Sequence, residues 1–343
     1  MRRRIFLLIF FLLFVFFLYA FILPRRMIVK KEIEPEFGFS FSPRHAVYLG
    51  LDWQETYLAL LDGLEPRSVR IPVYWHETEK ERGQYDFKVA EWQVKEAAKR
   101  GIPIVLVIGY RSFHRPECYP PSWVKVLNQE EFEKATLVFI EAGVKHFSRY
   151  DNIEVWQVEN EPLDILRSWC RRLSPAFVAK EIEAVKVNDP KGRPVLLTFG
   201  GEIFFRPLWR SLAPKVDIIG VSFYPKVWSK FLQRYIETYK LGIFGPRNIA
   251  IERGEMMRLG KQFWIVEFQA EPWGPRPLAL LEPEQVEETM SPAYLEEYLD
   301  IVKKAGGVER IYFWGVEWWY KELLEGRGEM WELGKSLMGR GKG

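Results

Sequence analysis

The chain has 343 residues, of which 48% are hydrophobic, 16% are aromatic and 28% are charged, and its formal net charge is +3. A chain of this length and composition can bury one large core, and α/β barrels of this size commonly form one domain. The segment 1–31 carries seven Lys/Arg and no acid, which leaves 42 Lys/Arg against 46 Asp/Glu in the remainder. Because the main part of the chain is mildly acidic, nucleic acid is not an expected partner.

Residues 1–31 also differ from the rest of the chain in hydropathy. Residues 5–23 form an apolar run without a charge, and arginines precede and follow it. At about 1.5 Å per residue, such a run just spans a hydrocarbon core of about 30 Å. We predict an N-terminal transmembrane helix at residues 5–23. A cleaved signal peptide is the alternative, although Tyr19-Ala20-Phe21 is a poor cleavage site.

After a charged linker at residues 32–44, eight short apolar runs alternate with helix-like stretches. Most runs are nearly continuous rather than alternating, as in parallel strands that are covered on both faces. The predicted strands are Ala46–Leu51, Ser68–Val73, Ile104–Ile108, Ile153–Val158, Val195–Phe199, Asp217–Phe223, Phe263–Phe268 and Arg310–Trp314. This order predicts a (β/α)8 TIM barrel at residues 45–325, followed by a C-terminal helix and tail at residues 326–343.

Signals for helix starts and ends lie between these runs. Asp86 is placed to cap a helix that runs to Lys99, and Gly101 follows it. Ser174-Pro175 and Ser291-Pro292 each provide a cap followed by proline at the first helical position. An open doubly wound sheet is the alternative fold, but no Gly-x-Gly-x-x-Gly follows the first predicted strand.

Two strand ends carry glutamates. The fourth strand ends at Asn160-Glu161-Pro162, and the seventh ends at Glu267. In this fold the active site lies at the carboxyl ends of the strands, so both carboxylates are expected there. A pair of carboxylates on separate strands is what a retaining glycosidase uses to attack and to protonate a glycosidic bond. Glu159 is the alternative on strand four, because a shift of one residue exchanges which glutamate faces the cleft.

Together with Arg70, Tyr224 and Trp314 at other strand ends, this set resembles the clan of retaining glycoside hydrolases with (β/α)8 barrels. The likeness is to the cellulase-like and mannanase-like family five and its neighbours among β-xylosidases and β-galactosidases. It covers residues 48–319. The resemblance implies that Glu161 is the general acid/base and Glu267 the nucleophile.

The resemblance also implies roles for four further residues. Arg70 favours the charged form of Glu267, and Tyr224 donates a hydrogen bond to the same carboxylate. Asn160 binds the sugar 2-hydroxyl, and Trp314 lies under the sugar at the cleavage point. Each residue also has a purely structural alternative: a buried ion pair for Arg70, a turn for Asn160, and core packing for the two aromatic residues.

Three more residues are candidate sugar ligands. Trp75 follows strand two, His114 lies in the aromatic loop at residues 109–123, and Trp318 follows strand eight. Stacked aromatic rings suit the flat faces of sugars, but aromatic loops also cover barrels for structural reasons. Members of the clan often carry a histidine shortly before the strand-six tyrosine. Because Ser222 and Phe223 stand in that region, the contacts made there by relatives are not carried over.

The cysteines and histidines indicate no metal and no cofactor. Cys118 and Cys170 lie in the loops after strands three and four, without Cys-x-x-Cys spacing, and the four histidines do not cluster in the sequence. Because those loops are neighbours on one barrel face, a disulfide is one hypothesis, and two free thiols are the other.

These observations predict a membrane-anchored retaining glycoside hydrolase that cleaves a β-linked oligo- or polysaccharide. Basic residues lie on both sides of residues 5–23, so they orient the segment only weakly. The catalytic domain is expected outside the cytoplasm because its predicted chemistry concerns glycans. A transglycosylase acting on envelope polysaccharide and a non-catalytic glycan-binding barrel are the alternatives. The sequence indicates no particular sugar, linkage or oligomeric state.

Overall fold

The computed structural model describes residues 33–114, 117–164, 169–200, 210–240 and 245–339. Eight parallel strands close into a barrel. They are β1 (Glu36–Ser40), β2 (Val69–Pro72), β3 (Ile104–Ile108), β4 (Ile153–Val158), β5 (Val195–Gly200), β6 (Ile218–Phe223), β9 (Gln262–Gln269) and β10 (Arg310–Trp314). Between β6 and β9, the strands β7 (Lys226–Ser229) and β8 (Arg234–Glu237) form an antiparallel hairpin. The predicted TIM-barrel fold is confirmed.

Helices follow the strands along the chain. They are α1 (Pro43–Tyr48), α2 (Trp53–Leu64), α3 (Trp75–Thr78), α4 (Lys88–Lys99), α5 (Gln129–Phe147), α6 (Pro175–Asn188), α7 (Pro246–Arg258), α8 (Pro283–Thr289), α9 (Pro292–Lys304), α10 (Val316–Leu324) and α11 (Glu329–Gly339). The Ser174 and Ser291 side chains cap α6 and α9 as predicted. Asp86 lies one residue before the N-cap of α4, and its carboxylate accepts a hydrogen bond from the Lys88 N–H at 3.1 Å.

The prediction for the first strand is wrong. Residues 46–48 belong to helix α1, and β1 lies at Glu36–Ser40, within the segment expected to be a linker. Pro43 occupies the first turn of α1 and Ser42 caps it, so the local sequence starts a helix there. Gly38 allows β1 to approach β2 closely, because a Cβ atom at this position would lie 2.3 Å from the Ser68 carbonyl oxygen.

The interior of the barrel is apolar at its base and polar at its mouth. The buried interior cluster is Val105, Val155, Leu196, Ile218, Trp264, Val266 and Tyr312. Because inward-facing positions recur every second residue along a strand, Gln157, Thr198 and Trp314 occupy the next level on β4, β5 and β10. A second, larger core fills the space between the strands and the helices. This layer of inward-facing residues, which we call the polar level, therefore contains side chains of the candidate site at the carboxyl ends of the strands.

Within the described ranges, no helix combines the length and the apolar character needed to cross a membrane. The transmembrane helix predicted at residues 5–23 lies outside the described residues. The C-terminal helix expected after residue 326 is α11.

Candidate active site

Glu161 lies in a strained turn directly after β4. Glu159 and Glu161 both have positive φ angles, 57° and 46°. Positive φ is unfavourable for residues with a side chain, and such conformations persist only where surrounding contacts hold them. Here the Glu161 N–H donates to the Thr198 hydroxyl at 2.8 Å, and the Arg111 guanidinium donates to the Glu161 carbonyl at 2.8 Å. The turn directs the buried Glu161 carboxylate into the barrel mouth.

Glu267 reaches the same place because β9 contains a bulge. Val221 of β6 pairs with Ile265, whereas the next residue, Ser222, pairs with Glu267, so β9 has one extra residue at Val266. Bulges redirect side chains, and they are frequent next to active sites. As a result, Val266 and Glu267 both project into the barrel, and Glu267 joins the polar level.

The Ser222 hydroxyl bridges the two carboxylates. It donates to Glu161 Oε1 at 2.5 Å and lies 3.5 Å from Glu267 Oε2. The separation of these two carboxylate oxygens therefore cannot exceed the sum of the two distances. Carboxyl groups of retaining glycosidases lie about 5 to 5.5 Å apart, and those of inverting enzymes about 6.5 to 9.5 Å apart. The limit that Ser222 sets for this one pair of oxygens falls below the inverting range and is compatible with the retaining arrangement.

Arg70 organises the floor of the site. It is fully buried, and it donates to Gln157 Oε1 at 2.6 Å and to Asn160 Oδ1 at 2.6 Å. Its guanidinium also lies 3.4 Å from Glu267 Oε1 and packs over the Phe113 ring at 4.1 Å. Burial lowers the pKa of Arg70, and the negative charge of Glu267 opposes that shift. Because an unpaired buried charge is costly, Arg70 and Glu267 hold each other in place as a charged pair.

The Asn160 amide is oriented by these contacts. Its Oδ1 accepts hydrogen bonds from Arg70, Gln157 and Thr198, the latter two at 3.3 Å. The carbonyl end of the amide is thus occupied, and Nδ2 has no hydrogen-bond partner among the described residues. That N–H₂ group remains available to a ligand beside Glu161.

Aromatic residues form the wall around Glu267. The Tyr224 hydroxyl donates to Glu267 Oε2 at 2.7 Å. The Tyr224 ring meets Trp273 edge-on at 4.8 Å and Trp314 at 5.7 Å, and the Trp273 and Trp314 rings stack at 6.1 Å. Trp314 is only partly buried, so part of its ring remains exposed at the mouth of the barrel.

Glu159, the alternative on strand four, faces away from the cleft. Its carboxylate accepts hydrogen bonds from the backbone N–H groups of Tyr110 at 2.6 Å and Arg111 at 2.5 Å. Gly109 makes room for it, since a Cβ atom there would lie 2.3 Å from Glu159 Oε1. Glu159 is fully buried, and burial raises its pKa. The glutamate beside Glu267 is therefore Glu161.

Two candidate sugar ligands lie elsewhere. Trp75 has no exposed surface, its indole N–H donates to Glu79 at 2.7 Å, and its ring stacks on Phe139 at 5.2 Å. Trp318 is buried on helix α10, where it lines a groove between that helix and α8. The position of Trp75 directly after a strand did not reveal that helix α3 turns its side chain into the core. Trp75 is therefore a core residue, and the role of Trp318 stays a prediction.

His114, the third candidate, lies in the loop after β3, and its side chain reaches Trp314 at the end of β10. Its ring stacks on His45 at 4.3 Å and on Trp314 at 4.6 Å, and the His45 and Trp314 rings lie 5.8 Å from each other. Burial lowers the pKa of His114 well below its ordinary value, and the neighbouring positive charges of His45 and Arg70 lower it further. His114 is therefore neutral at physiological pH.

The sequence did not identify a charged cluster beside this stack. His45 Nε2 lies 2.6 Å from Glu271 Oε2, and Glu317 accepts a hydrogen bond from the Ser42 N–H at 2.7 Å. Burial alone would lower the pKa of His45, but the Glu271 carboxylate raises it above its ordinary value. Burial raises the pKa of Glu317 to about 7. Because 226 positions separate His45 from Glu271, no local pattern links them.

A disulfide joins the loops that follow β3 and β4. Cys118 and Cys170 are bonded, with their Cα atoms 5.8 Å apart. The disulfide hypothesis is confirmed, and the alternative of two free thiols is wrong. Among the residues that the structure describes, no three His, Cys, Asp or Glu side chains are grouped as a metal site requires.

Comparisons with known proteins identify the fold. No protein-family model matches the sequence, and no curated protein matches it. Xylanase 10B from Thermotoga maritima is similar in structure, at 18% identity and a TM-score of 0.56, over 90% of this chain and 96% of that chain. GH5_18 from Bifidobacterium longum subsp. longum ATCC 55813 is similar at 14% identity and a TM-score of 0.59, over 82% and 70%. The exo-beta-1,4-mannosidase Op5Man5 from Opitutaceae bacterium strain TAV5 is similar at 15% identity and a TM-score of 0.62, over 90% and 60%. At these identities the likeness establishes the barrel fold alone.

Proposed function

We propose that this protein is a retaining glycoside hydrolase that cleaves a β-linked glycan, with Glu267 as nucleophile and Glu161 as general acid/base. The observation that carries the proposal is the pair of buried carboxylates bridged by one hydroxyl, that of Ser222, at 2.5 Å from one and 3.5 Å from the other. That spacing supports a retaining reaction, because the carboxyl groups of an inverting enzyme lie farther apart to admit a water molecule.

The contacts of Glu267 suit a nucleophile. Arg70 and Tyr224 hold its carboxylate in one orientation, and the positive charge of Arg70 favours the ionised form that attacks the anomeric carbon. Attack forms a covalent bond between that carbon and a Glu267 oxygen. The bond from the anomeric carbon to the glycosidic oxygen breaks at the same time, and Glu161 donates its proton to the departing oxygen.

The second half of the reaction uses the same two groups in reverse. Glu161, now ionised, takes a proton from water, and the resulting hydroxide attacks the anomeric carbon from the face that the leaving group vacated. Glu267 is released as a carboxylate, and two inversions give net retention. The free Nδ2 of Asn160 is placed to bind the sugar 2-hydroxyl, a contact that strengthens in the oxocarbenium-like transition state.

The similar structures are consistent with this chemistry. They include a xylanase, an exo-beta-1,4-mannosidase and a beta-galactosidase. We therefore expect a β-linked hexose or pentose as substrate. A β-mannoside, β-glucoside, β-xyloside and β-galactoside with an aryl leaving group cover this range.

The test is hydrolysis of these four aryl β-glycosides by the full chain in mild detergent. Glu267→Ala should abolish turnover. Glu161→Ala should lose most activity and regain it with azide, and the product should be a β-glycosyl azide because azide replaces water on the retained face. Glu183→Gln, a change of an exposed glutamate on helix α6, is the matched control and should keep wild-type turnover. Activity that survives both alanine substitutions would overturn the assignment.

We also propose that residues 5–23 anchor the protein in a membrane and that the barrel lies outside the cytoplasm. The uncharged run supports the anchor, and the disulfide between Cys118 and Cys170 supports an oxidising compartment. Fractionation should find the full chain in membranes, and a chain without residues 1–31 in the soluble fraction. A full chain that is released from membranes by high salt alone would contradict the anchor.

A further inference from the structure

Buried contacts close one side of the barrel mouth. The loop after β3 carries His114 to Trp314 at the end of β10, although β2 and β1 lie between these two strands in the barrel. The His114 ring stacks on Trp314 at 4.6 Å and 22°, and on His45 at 4.3 Å and 23°. The His45 and Trp314 rings also lie 5.8 Å apart, so the three rings form one compact cluster that bridges the loops after β1, β3 and β10.

A second link extends this closed side to β9. The ion pair between His45 and Glu271, at 2.6 Å, joins helix α1 to the loop after β9 and passes over β10. Gly315 makes the crossing possible, because a Cβ atom there would lie 2.4 Å from the Glu271 side chain. We call the residues His45, His114, Glu271 and Trp314 the closed rim. Side-chain contacts within the closed rim link the loops after β9, β1 and β3 to the end of β10, and β2 lies between β1 and β3 in the barrel.

The chemistry of the proposed reaction decides which part of the substrate meets the closed rim. Glu161 protonates the oxygen of the leaving group, so the leaving group lies on the β4 side. The sugar that is attacked lies over Glu267, between Asn160 and Trp314. Since Trp314 is itself part of the closed rim, the rim bounds the glycone end of the site.

We infer that the enzyme is exo-acting and removes one sugar at a time from the non-reducing end of its substrate. This inference rests on the proposed function. An endo-acting enzyme needs a groove that is open on both sides of its carboxylates, because the glycan continues in both directions. Here the buried ring cluster and the ion pair lie on the glycone side of Glu267, where a further sugar would have to bind.

Two unpartnered polar atoms in the closed rim support the same conclusion. His114 Nε2 and Trp314 Nε1 are buried, and neither has a hydrogen-bond partner among the described residues. Buried polar atoms are normally paired, so unpaired ones need an explanation, such as a ligand. A terminal sugar carries a free hydroxyl where an internal sugar carries a glycosidic link. That hydroxyl is able to donate to the neutral His114 ring or to accept from the Trp314 N–H.

The experiment compares tri- and tetrasaccharides of whichever sugar the wild-type full chain releases from its aryl β-glycoside. Each oligosaccharide is offered with a free non-reducing end and with that end capped as a 4,6-O-ketal, or as a 4-O-methyl ether for a pentose. The expected first product is the monosaccharide at every length. Capping should slow turnover by about 100-fold or more, because the closed rim leaves no room for the cap and the capped sugar has no free hydroxyl to bind there. His114→Ala should raise KM for the uncapped substrate and relax discrimination against the cap. His146→Ala, a histidine change on helix α5, should alter neither value.

The outcomes are separable. A disaccharide as the first product from a tetrasaccharide, or capped substrate cleaved as fast as uncapped, would overturn exo action and leave the hydrolase assignment standing. Equal discrimination by wild type and by a folded His114→Ala variant would overturn the role of the closed rim. No turnover of any glycoside or oligosaccharide would overturn the proposed function, and exo action with it.

Discussion

Replacing both cysteines by alanine should destabilise the barrel by an amount that follows from the length of the closed loop. The disulfide joins residues 52 positions apart. In the chain-entropy description, closing a loop of that length lowers the entropy of the unfolded chain enough to contribute about 4 kcal/mol at 25 °C. Residues 33–339 unfold with an entropy of about 0.6 kcal/mol/K, so the double variant Cys118→Ala/Cys170→Ala should melt about 6 °C below wild type.

The assay is thermal unfolding followed by circular dichroism, with and without a thiol reductant. Reductant should lower the Tm of wild type to near that of the double variant. It should leave the double variant unchanged, because the chain contains no other cysteine. The reasoning would be refuted by a wild-type Tm that does not respond to reductant once thiol labelling shows both cysteines free. It would also be refuted by a double variant that melts within about 1 °C of wild type.

Three further predictions concern single side chains. Tyr224→Phe removes the 2.7 Å hydrogen bond to Glu267 and should lower kcat/KM for an aryl β-glycoside by about 10- to 150-fold, the cost of about 1.5–3 kcal/mol for a hydrogen bond to a charged group. Burial raises the pKa of Glu317 from 4.5 to about 7, so the folded protein binds the extra proton and loses stability as the pH rises through this range. In urea titrations, Glu317→Gln should therefore gain up to about 3 kcal/mol relative to wild type between pH 5 and pH 8, and an unchanged difference would contradict this linkage. Gly38→Ala should cost about 1–3 kcal/mol by the same measurement, because the added methyl group meets the Ser68 carbonyl at 2.3 Å; a neutral result would show that β1 moves freely.

Seven of the eight barrel strands were predicted near their observed positions. Strands buried on both faces are runs of apolar residues, such as Ile104–Ile108, and this pattern is local. The first strand was missed because Glu36–Ser40 is short and has only two large apolar residues. The more apolar run that follows begins with Pro43 and a capping serine, and these make it a helix.

The candidate catalytic pair was predicted because both glutamates end strands, and a parallel barrel brings strand ends to one face. The roles of Trp75 and Ser222 were not predicted. Whether a residue after a strand enters the cleft or the core depends on the next turn of chain, and helix α3 turns Trp75 inward. Ser222 bridges Glu161 and Glu267 only because the bulge in β9 changes the register of β6 against β9.

The sequence by itself determined the barrel, the order of its elements and the strand ends that carry Glu161 and Glu267, because these features depend on hydrophobic patterns and turns within short segments. Only the tertiary structure decided the spacing of the two carboxylates, the outward orientation of Glu159 and the contact between His45 and Glu271. Those features depend on strand register and barrel closure, which bring together residues up to 226 positions apart. No short-range pattern of residues encodes contacts between residues so far apart in the sequence.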